Sequence, residues 1–341
     1  MKTIIDVAKH AQVSTATVSL VIRNKGRISD KTRQRVLNSI EELGYVYNQT
    51  AANLRNQKSS QIGLLIHDIS NPFYASMIEG ASECLEKESI MLFLANAKED
   101  LDKQTRFIDS LLQQNAAGLL LTPAKNTNED YLRTVERRGL PIVLTFREPE
   151  QHYFDFVGTN NFLGVQHAMK HFLKHEHTNI AFIGGMPYST TRSHRLGGYM
   201  STLIEHGVTP NQNYILACGS SFHEGFEATK QLLKQSPEVT AIFAYQDIIA
   251  FGVMKAIESM GLTVGNDIAV IGFDDVTEAK YAYPKLTTVS ASAKETGEKA
   301  ASILINRING DKSPPRSYII PPKLIVRESC GVQIKEEITK V

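Results

Sequence analysis

Asp274 and Asp275 follow the apolar run Ile268 to Phe273 and form an adjacent carboxylate pair that invites acid/base or metal chemistry. Neighbouring residues at a strand end point to opposite faces, so the two are poorly placed to act jointly across one bond. His171, His175 and His177 are a second candidate, because an i, i+4 histidine pair shares one side of a helix and could hold a transition metal. No cysteine, histidine or carboxylate cluster elsewhere completes that set, and the stretch reads as the polar end of a helix preceding the run Ile180 to Ile183. Cys84, Cys218 and Cys330 are far apart, odd in number and outside any CxxC spacing, which makes them reduced packing residues rather than ligands. There is no GxxxxGK[ST] phosphate loop, no GxGxxG turn and no GxSxG elbow. Nothing pairs a nucleophile with a base, so neither enzyme activity nor a metal or cofactor is expected.

A different chemistry is written near the N-terminus. Thr15, Ala16, Thr17, Ser19 and Leu20 share a segment with the apolar residues Val18, Val21 and Ile22. Its outward side is mostly short hydroxyl and methyl groups, which let a helix lie close to base edges and phosphates. Charge divides in the same sense. Residues 1–58 hold ten Lys and Arg against four Asp and Glu, a net of +6, and the remainder holds 27 against 32, a net of −5. The formal net charge of +1 therefore conceals a basic head on an acidic body, and a basic segment of that size attracts a polyphosphate through counterion release.

Three short helices must position those side chains. Ile4, Ile5, Val7, Ala8 and Ala11 give the first its apolar side, with Asp6 near its start to suit the helix dipole. After a turn at Gln12 and Val13, Ser14 caps a second helix running from Thr15 to about Ile22. A third starts at the Ser29-Asp30 cap, carries Val36, Ile40 and Leu43 on one side, and stops at Gly44. So short a turn between the first two helices, with small Ala8 at their approach, predicts a helix-turn-helix whose second helix enters the major groove N-terminus first.

From Gln61 onward, apolar runs alternate with amphipathic stretches. The runs fall at Ile62 to Ile66, Met91 to Ala95, Gly118 to Leu121, Ile142 to Phe146, Ile180 to Ile183, Ile215 to Ala217, Ala241 to Ala244 and Ile268 to Phe273. Met77 to Lys87, Thr105 to Gln113 and Phe226 to Lys234 are among the helices between them. Such repetition predicts an α/β fold of doubly wound parallel sheets, and eight strands divide more readily into two sheets than one. A length of 341 residues likewise suits two or three compact units. With 42% hydrophobic and 21% charged residues the balance is that of a globular protein. No apolar run reaches the length of a membrane span, and MKTIIDVAKH lacks a secretion signal's hydrophobic region, so a cytoplasmic, nucleoid-associated protein is expected.

The strings IIDVAKHAQVSTATVSLVI and GRISDKTRQRVLNSIEELGYVYNQTAANLR resemble the head and hinge of LacI/GalR transcription regulators, and the likeness extends over almost the whole chain. It implies a helix-turn-helix head over 1–46, a hinge helix and linker over 47–60, and a body over 61–341 similar to periplasmic binding proteins. One lobe takes about 61–159 and 291–320, and the other about 160–290 and 321–341. The DNA-contacting set becomes Thr3, Ser14, Thr15, Ala16, Thr17, Ser19, Leu20, Asn24, Tyr45, Asn48, Leu54 and Arg55. Ala51 to Arg55 would form a short helix when two hinges meet on operator DNA, with Leu54 wedged into the minor groove. Leu20 departs from the pattern, because most members carry a polar base-reading residue there, and a leucine offers apolar contact instead.

By the same likeness, Phe73 in SNPFYA, Arg195 in RLGGY and Asp274 in IGFDD would line an effector cleft between the lobes, with Asn160, Arg192, Phe222 and Gln246 in equivalent loops. Asn160 stands where many members have Asp, and Gln246 where some have Asn. The partners implied are a pseudo-palindromic double-stranded operator, a small polar effector with a sugar as the leading choice, and a second copy of the chain. No heptad-patterned tail is present, so a homodimer is expected. The competing reading is a two-lobed sugar-binding protein without a regulatory role, which would begin with a secretion signal and lack the basic head.

Overall fold

The computed structural model describes residues 2–22, 24–46, 60–149, 152–187 and 189–331. They divide into two compact units, Met1–Ser59 and Ser60–Val341.

The first unit contains α1 (Ile4–His10), α2 (Thr15–Ile22) and α3 (Asp30–Leu43). Thr3 caps α1 in a reciprocal box: its hydroxyl accepts from the Asp6 N–H, and its own N–H donates to Asp6 Oδ2 at 2.8 Å. Ser14 Oγ accepts from the Thr17 N–H at 3.1 Å, closing the start of α2. Gly44, at φ 58°, ends α3 in the left-handed conformation that glycine adopts without penalty. Val7, Ala8, Ala11, Val18, Val21 and Val36 are buried together, with Ile22, Ile40, Leu43 and Tyr45 packed against them. This is the three-helix head read from the pattern.

The second unit runs β1 (Gln61–Ile66), α4 (Pro72–Glu86), β2 (Met91–Asn96), α5 (Leu101–Gln113), β3 (Gly118–Leu121), α6 (Glu129–Arg137), β4 (Ile142–Thr145) and β5 (Asp155–Thr159). It continues through α7 (Asn161–Lys174), β6 (Ile180–Ile183), α8 (Thr190–Glu205), β7 (Ile215–Leu216), α9 (Phe222–Gln235), β8 (Ala241–Ala244), α10 (Asp247–Ser259), β9 (Ala269–Asp274) and β10 (Thr287–Ser290). Last come α11 (Ala293–Ile308), β11 (Ser317–Ile320) and β12 (Lys323–Ile325). Two six-stranded sheets result, with orders β11-β5-β4-β3-β1-β2 and β12-β10-β9-β8-β6-β7. All pairings are parallel except β12 against β10. The chain passes between sheets after Thr159, after Ser290 and after Ile320.

Alternation along the strands clothes both faces of the first sheet. Leu64, Leu120 and Val143 meet Met77 and Ala81 of α4 and Ala301 and Leu304 of α11. On the opposite face Leu65, Leu119, Leu121 and Leu144 meet Ile108 and Leu111 of α5 and Leu132 and Val135 of α6. Each expected apolar run is a strand, which is the doubly wound architecture inferred from the sequence. Four further strands, β5, β10, β11 and β12, lay outside those runs. The Thr, Ser, Gly and Asp content of β5 and β10 gives a weak apolar signal, although Thr287 and Thr288 are fully buried, while β11 and β12 are short and carry only two or three apolar residues each.

Candidate functional site

In the head, the outward face of α2 is formed as its pattern suggests. Ser14, Thr15, Ala16 and Leu20 are exposed, and Thr17 and Ser19 are half-buried. Leu20 presents its side chain at 38% exposure. Asn24, at φ 52°, accepts from Arg33 Nη1 at 2.5 Å. Thr3 is engaged in the α1 cap, and Tyr45 is packed on the head core. Asn48, Leu54 and Arg55 lie outside the described residues.

In the body, a cleft of about 1060 Å³ opens at the carboxyl ends of strands from both sheets, where open α/β sheets place ligands. Phe73, Arg195, Gln246 and Asp274 line it. Phe73 sits in the first turn of α4, whose N-cap Asn71 accepts from its N–H at 3.0 Å. Arg195 projects from α8: Nε donates to Asn161 Oδ1 at 2.8 Å, Nη1 donates to the Tyr245 carbonyl, and Nη2 lies 3.8 Å from Asp274 Oδ1. Its guanidinium also lies over the Phe273 ring, 3.6 Å from the centroid.

Asp274 ends β9 at φ 132° and Asp275 follows at φ 57°, a turn that side-chain-bearing residues rarely adopt. Asp275 N–H reaches Thr288 Oγ1 at 3.4 Å, its Oδ1 pairs with Arg327 Nη2 at 2.6 Å, and the Val276 N–H donates to Asp247 Oδ2 at 3.0 Å. The two carboxylates therefore diverge, one to the cleft and one to Arg327, and do not face a common bond. Burial pushes the Asp274 carboxyl well above the usual range, and Arg195 acts against that shift. Asp274 Oδ2 and Gln246 Oε1 are buried without a hydrogen-bond partner among the described residues.

Asn160, Arg192 and Phe222 are not among the lining residues. Asn160 Oδ1 caps α7 by accepting from the Leu163 N–H at 2.9 Å, while the next residue, Asn161, faces the cleft. Arg192 turns its Nε to the Gly184 carbonyl at 3.1 Å and lies over the Phe182 ring. Phe222, the first residue of α9, is 43% exposed.

Apart from Phe73, the other half of the cleft was not anticipated. Phe73, Tyr74 and Phe146 form an aromatic floor, with centroids 4.7 Å apart for Phe73 and Phe146 and 5.4 Å for Phe73 and Tyr74. His67, Glu99 and Arg147 stand in the same cleft. Arg147 Nη1 donates to Glu99 Oε2 at 2.8 Å, and Nη2 pairs with Oε1. His67 lies 3.5 Å from Glu99, and burial, then Arg147, push its pKa down to about 4. His67 and Arg147 come just past the ends of β1 and β4, so listing the residues that follow each apolar run would have found them.

His171 in the last turn of α7 and His175 at its C-cap have ring centroids 4.8 Å apart with the planes tilted by 57°, and His177 Nδ1 lies 3.0 Å from Thr240 Oγ1. Among the described residues no three His, Cys, Asp or Glu side chains are grouped to hold a metal.

Residues 3–48 match the family described as bacterial regulatory proteins, lacI family, and residues 169–330 match the periplasmic binding protein-like domain. The maltose regulon regulatory protein MalI of Escherichia coli strain K12 is 34% identical over 332 residues, spanning 95% of this chain and 97% of MalI. The chain belongs to the lacI family. As a member, it is a DNA-binding transcription regulator with a helix-turn-helix head and a two-lobed α/β body. A transcriptional regulator CelR–cellobiose complex superposes with a TM-score of 0.73 at 27% identity, covering 96% of this chain and 100% of that one. The lac repressor dimer bound to operator and an anti-inducer shares the fold, with a TM-score of 0.84 at 24% identity over 96% of this chain and 99% of that one. These lacI-family relatives are regulators rather than enzymes.

Proposed function

We propose that the chain is a homodimeric cytoplasmic repressor whose operator affinity is set by a small polyhydroxylated effector in the interlobe cleft. One observation carries the reading. Asp274 Oδ2 and Gln246 Oε1 are buried in a cleft of about 1060 Å³ with no partner among the described residues. A buried polar atom left unsatisfied costs about 1–3 kcal/mol, and a bound hydroxyl removes that cost. Phe73 supplies an apolar face beside those groups, and Arg195 is fixed by Asn161 and Tyr245 so that it holds Asp274 in place.

In this reading residues 1–46 form the DNA-reading head, 47–60 the hinge and 61–341 the sensing core. Thr15, Ala16, Thr17, Ser19 and Leu20 meet base edges in the major groove, Ser14 and Thr3 hold the helix ends beside the phosphates, and Asn24, Tyr45, Asn48, Leu54 and Arg55 complete the operator contacts. Two heads on a two-fold axis read a near-palindromic site. Effector in the cleft shifts the relation of the lobes, and the coupling to the heads is of the usual size for allostery, about 1–3 kcal/mol. Support comes from the relatives: one is solved with cellobiose, and another as a dimer on operator DNA.

The test joins two measurements on the purified protein. Genomic footprinting is expected to recover protected near-palindromic duplexes, and the small-molecule extract of the host is expected to change their occupancy. Asp274→Asn should keep those sites and lose at least tenfold of the response to extract. A genome without any protected duplex would remove the regulatory reading and leave a two-lobed binder.

A further inference from the structure

A closed turn follows α2. Asn24 stands at φ 52°, its N–H donates to the Val21 carbonyl at 3.1 Å, and the Lys25 N–H reaches back to the Leu20 carbonyl at 3.0 Å. This pair of bonds ends a helix on a left-handed residue, a place that glycine takes most often and asparagine sometimes. Asparagine brings a side chain that glycine lacks, and here Asn24 Oδ1 accepts from Nη1 of Arg33 at 2.5 Å. Arg33 is itself set by the start of α3, where its N–H donates to the Ser29 carbonyl at 2.9 Å. The loop after α2 is thereby fastened to α3 as well as to α2.

Leu20 depends on that loop twice. Its carbonyl takes the Lys25 bond, and its side chain lies against Gly26. A Cβ built on Gly26 would stand 3.5 Å from both methyl carbons of Leu20, which is ordinary contact distance, and Gly26 sits at φ 79°. The residue is otherwise open, at 38% exposure. A polar reader such as arginine finds its base through directional hydrogen bonds, which pull the side chain into register. Leucine makes none. It can choose a base pair only by where its methyl groups stand, against a thymine methyl or in the way of another group, and that place has to be fixed from within the protein.

We propose that Arg33 is a positioning residue for base reading: through Asn24 it holds the loop on which Leu20 leans, and it sets the preference at the base pair facing Leu20 without touching that pair. The proposal rests on the reading that α2 lies in the major groove. The plainer role for an arginine in a DNA-reading head is a phosphate contact, whose loss weakens binding on every sequence alike and lowers the salt slope by about one. A positioning role leaves a different mark. Loss of the Arg33–Asn24 bond should blunt discrimination at one base pair per half-site and spare the others, whereas a general loosening of the head would weaken every duplex equally.

In the test, the full-length protein selects its operator from a random duplex pool. Fluorescence anisotropy then measures binding to duplexes carrying each base pair in turn at every position of both half-sites, at low and at raised salt. Leu20→Ala locates the pair that Leu20 faces. Asn24→Gly keeps the left-handed turn, removes the acceptor and leaves the Arg33 charge in place; Arg33→Met removes the donor. At the position of Leu20 both variants are expected to lower the ratio between the best and the worst base pair by about threefold or more, with ratios elsewhere kept within about twofold. An Arg33→Met variant that weakens all duplexes equally, or an Asn24→Gly variant that discriminates as the parent does, would overturn the proposal. Where Arg33→Met abolishes binding, Asn24→Gly decides alone. If Leu20→Ala alters no position, the groove reading of residue 20 falls and the proposal with it; if it alters one that Asn24→Gly leaves intact, only the proposal falls.

Discussion

Asp247 is a fully buried carboxylate one residue from the cleft, and it holds the strained turn that aims Asp274. Its Oδ1 accepts from Thr288 Oγ1 at 2.6 Å and its Oδ2 from the Val276 N–H at 3.0 Å, which favours the charged form. Burial outweighs those bonds and pushes its pKa from 3.8 up to about 6. A raised folded pKa contributes stability that is complete below the unfolded value and lost as pH rises through the folded one. The window is therefore about pH 4 to 6, and a shift of about two units corresponds to roughly 3 kcal/mol. Denaturant unfolding from pH 4 to 8 should show the stability of the parent falling by about that amount relative to Asp247→Asn; a constant difference would mean that Asp247 does not titrate there. Leu20 allows a sharper test of base reading. Leucine cannot donate to guanine, whereas arginine pairs with its O6 and N7, so Leu20→Arg should move operator preference towards guanine at one position per half-site, by about 1–3 kcal/mol in a binding selection. An unchanged preference would take residue 20 out of the groove. At this scale the sequence was only partly legible. Arg195 and Asp274 are in the cleft, but Asn161 faces it where Asn160 was expected, because at a strand-to-helix turn one residue decides between capping the helix and pointing at a ligand. Arg192, three residues before Arg195 on α8, is held against the Gly184 carbonyl.

Between elements, the packing of α11 on α4 brings the chain back to the first sheet after its second crossing. Two glycines permit it. A Cβ at Gly80 would stand 2.1 Å from the Lys294 carbonyl oxygen, and one at Gly297 would stand 2.1 Å from that of Met77. Alanine favours a helix interior by about 1 kcal/mol, but forcing two backbones apart costs about 1–3 kcal/mol or more. The steric cost wins here, so Gly297→Ala should lower the denaturation midpoint. Gly197 on α8 is the control, since its nearest neighbour would be the Phe162 ring at 3.4 Å, and Gly197→Ala should be neutral or slightly stabilising. Equal responses at the two positions would mean that backbone approach does not limit the α4–α11 contact. The elements were the most legible level, because continuous apolar runs and caps such as Ser14, Ser29 and Gly44 are local signals. The strands β5 and β10 escaped for the converse reason. Asp155 is buried by its pairing with Arg307 and Thr288 by its bond to Asp247, partners far away in sequence.

At the scale of the whole molecule, the +6 head and −5 body assign opposite electrostatics to the two binding tasks. A phosphate-binding head releases condensed counterions from DNA, and a dimer making about 6–10 phosphate contacts loses about 10³–10⁵ in affinity between roughly 50 and 200 mM salt. An uncharged ligand in a cleft whose arginines are paired within it releases no ions, so its affinity should change less than about twofold over the same range. Fluorescence anisotropy on operator DNA and calorimetry with a bound saccharide, run in the same buffers, measure the two slopes side by side. The expected outcome is a steep line for DNA and a flat one for the saccharide. A flat DNA line would remove the basic head from the contact surface. A steep saccharide line would mean that charged groups of the cleft take up or release ions on binding, and that Glu99 and Arg147 do not stay paired when the effector enters.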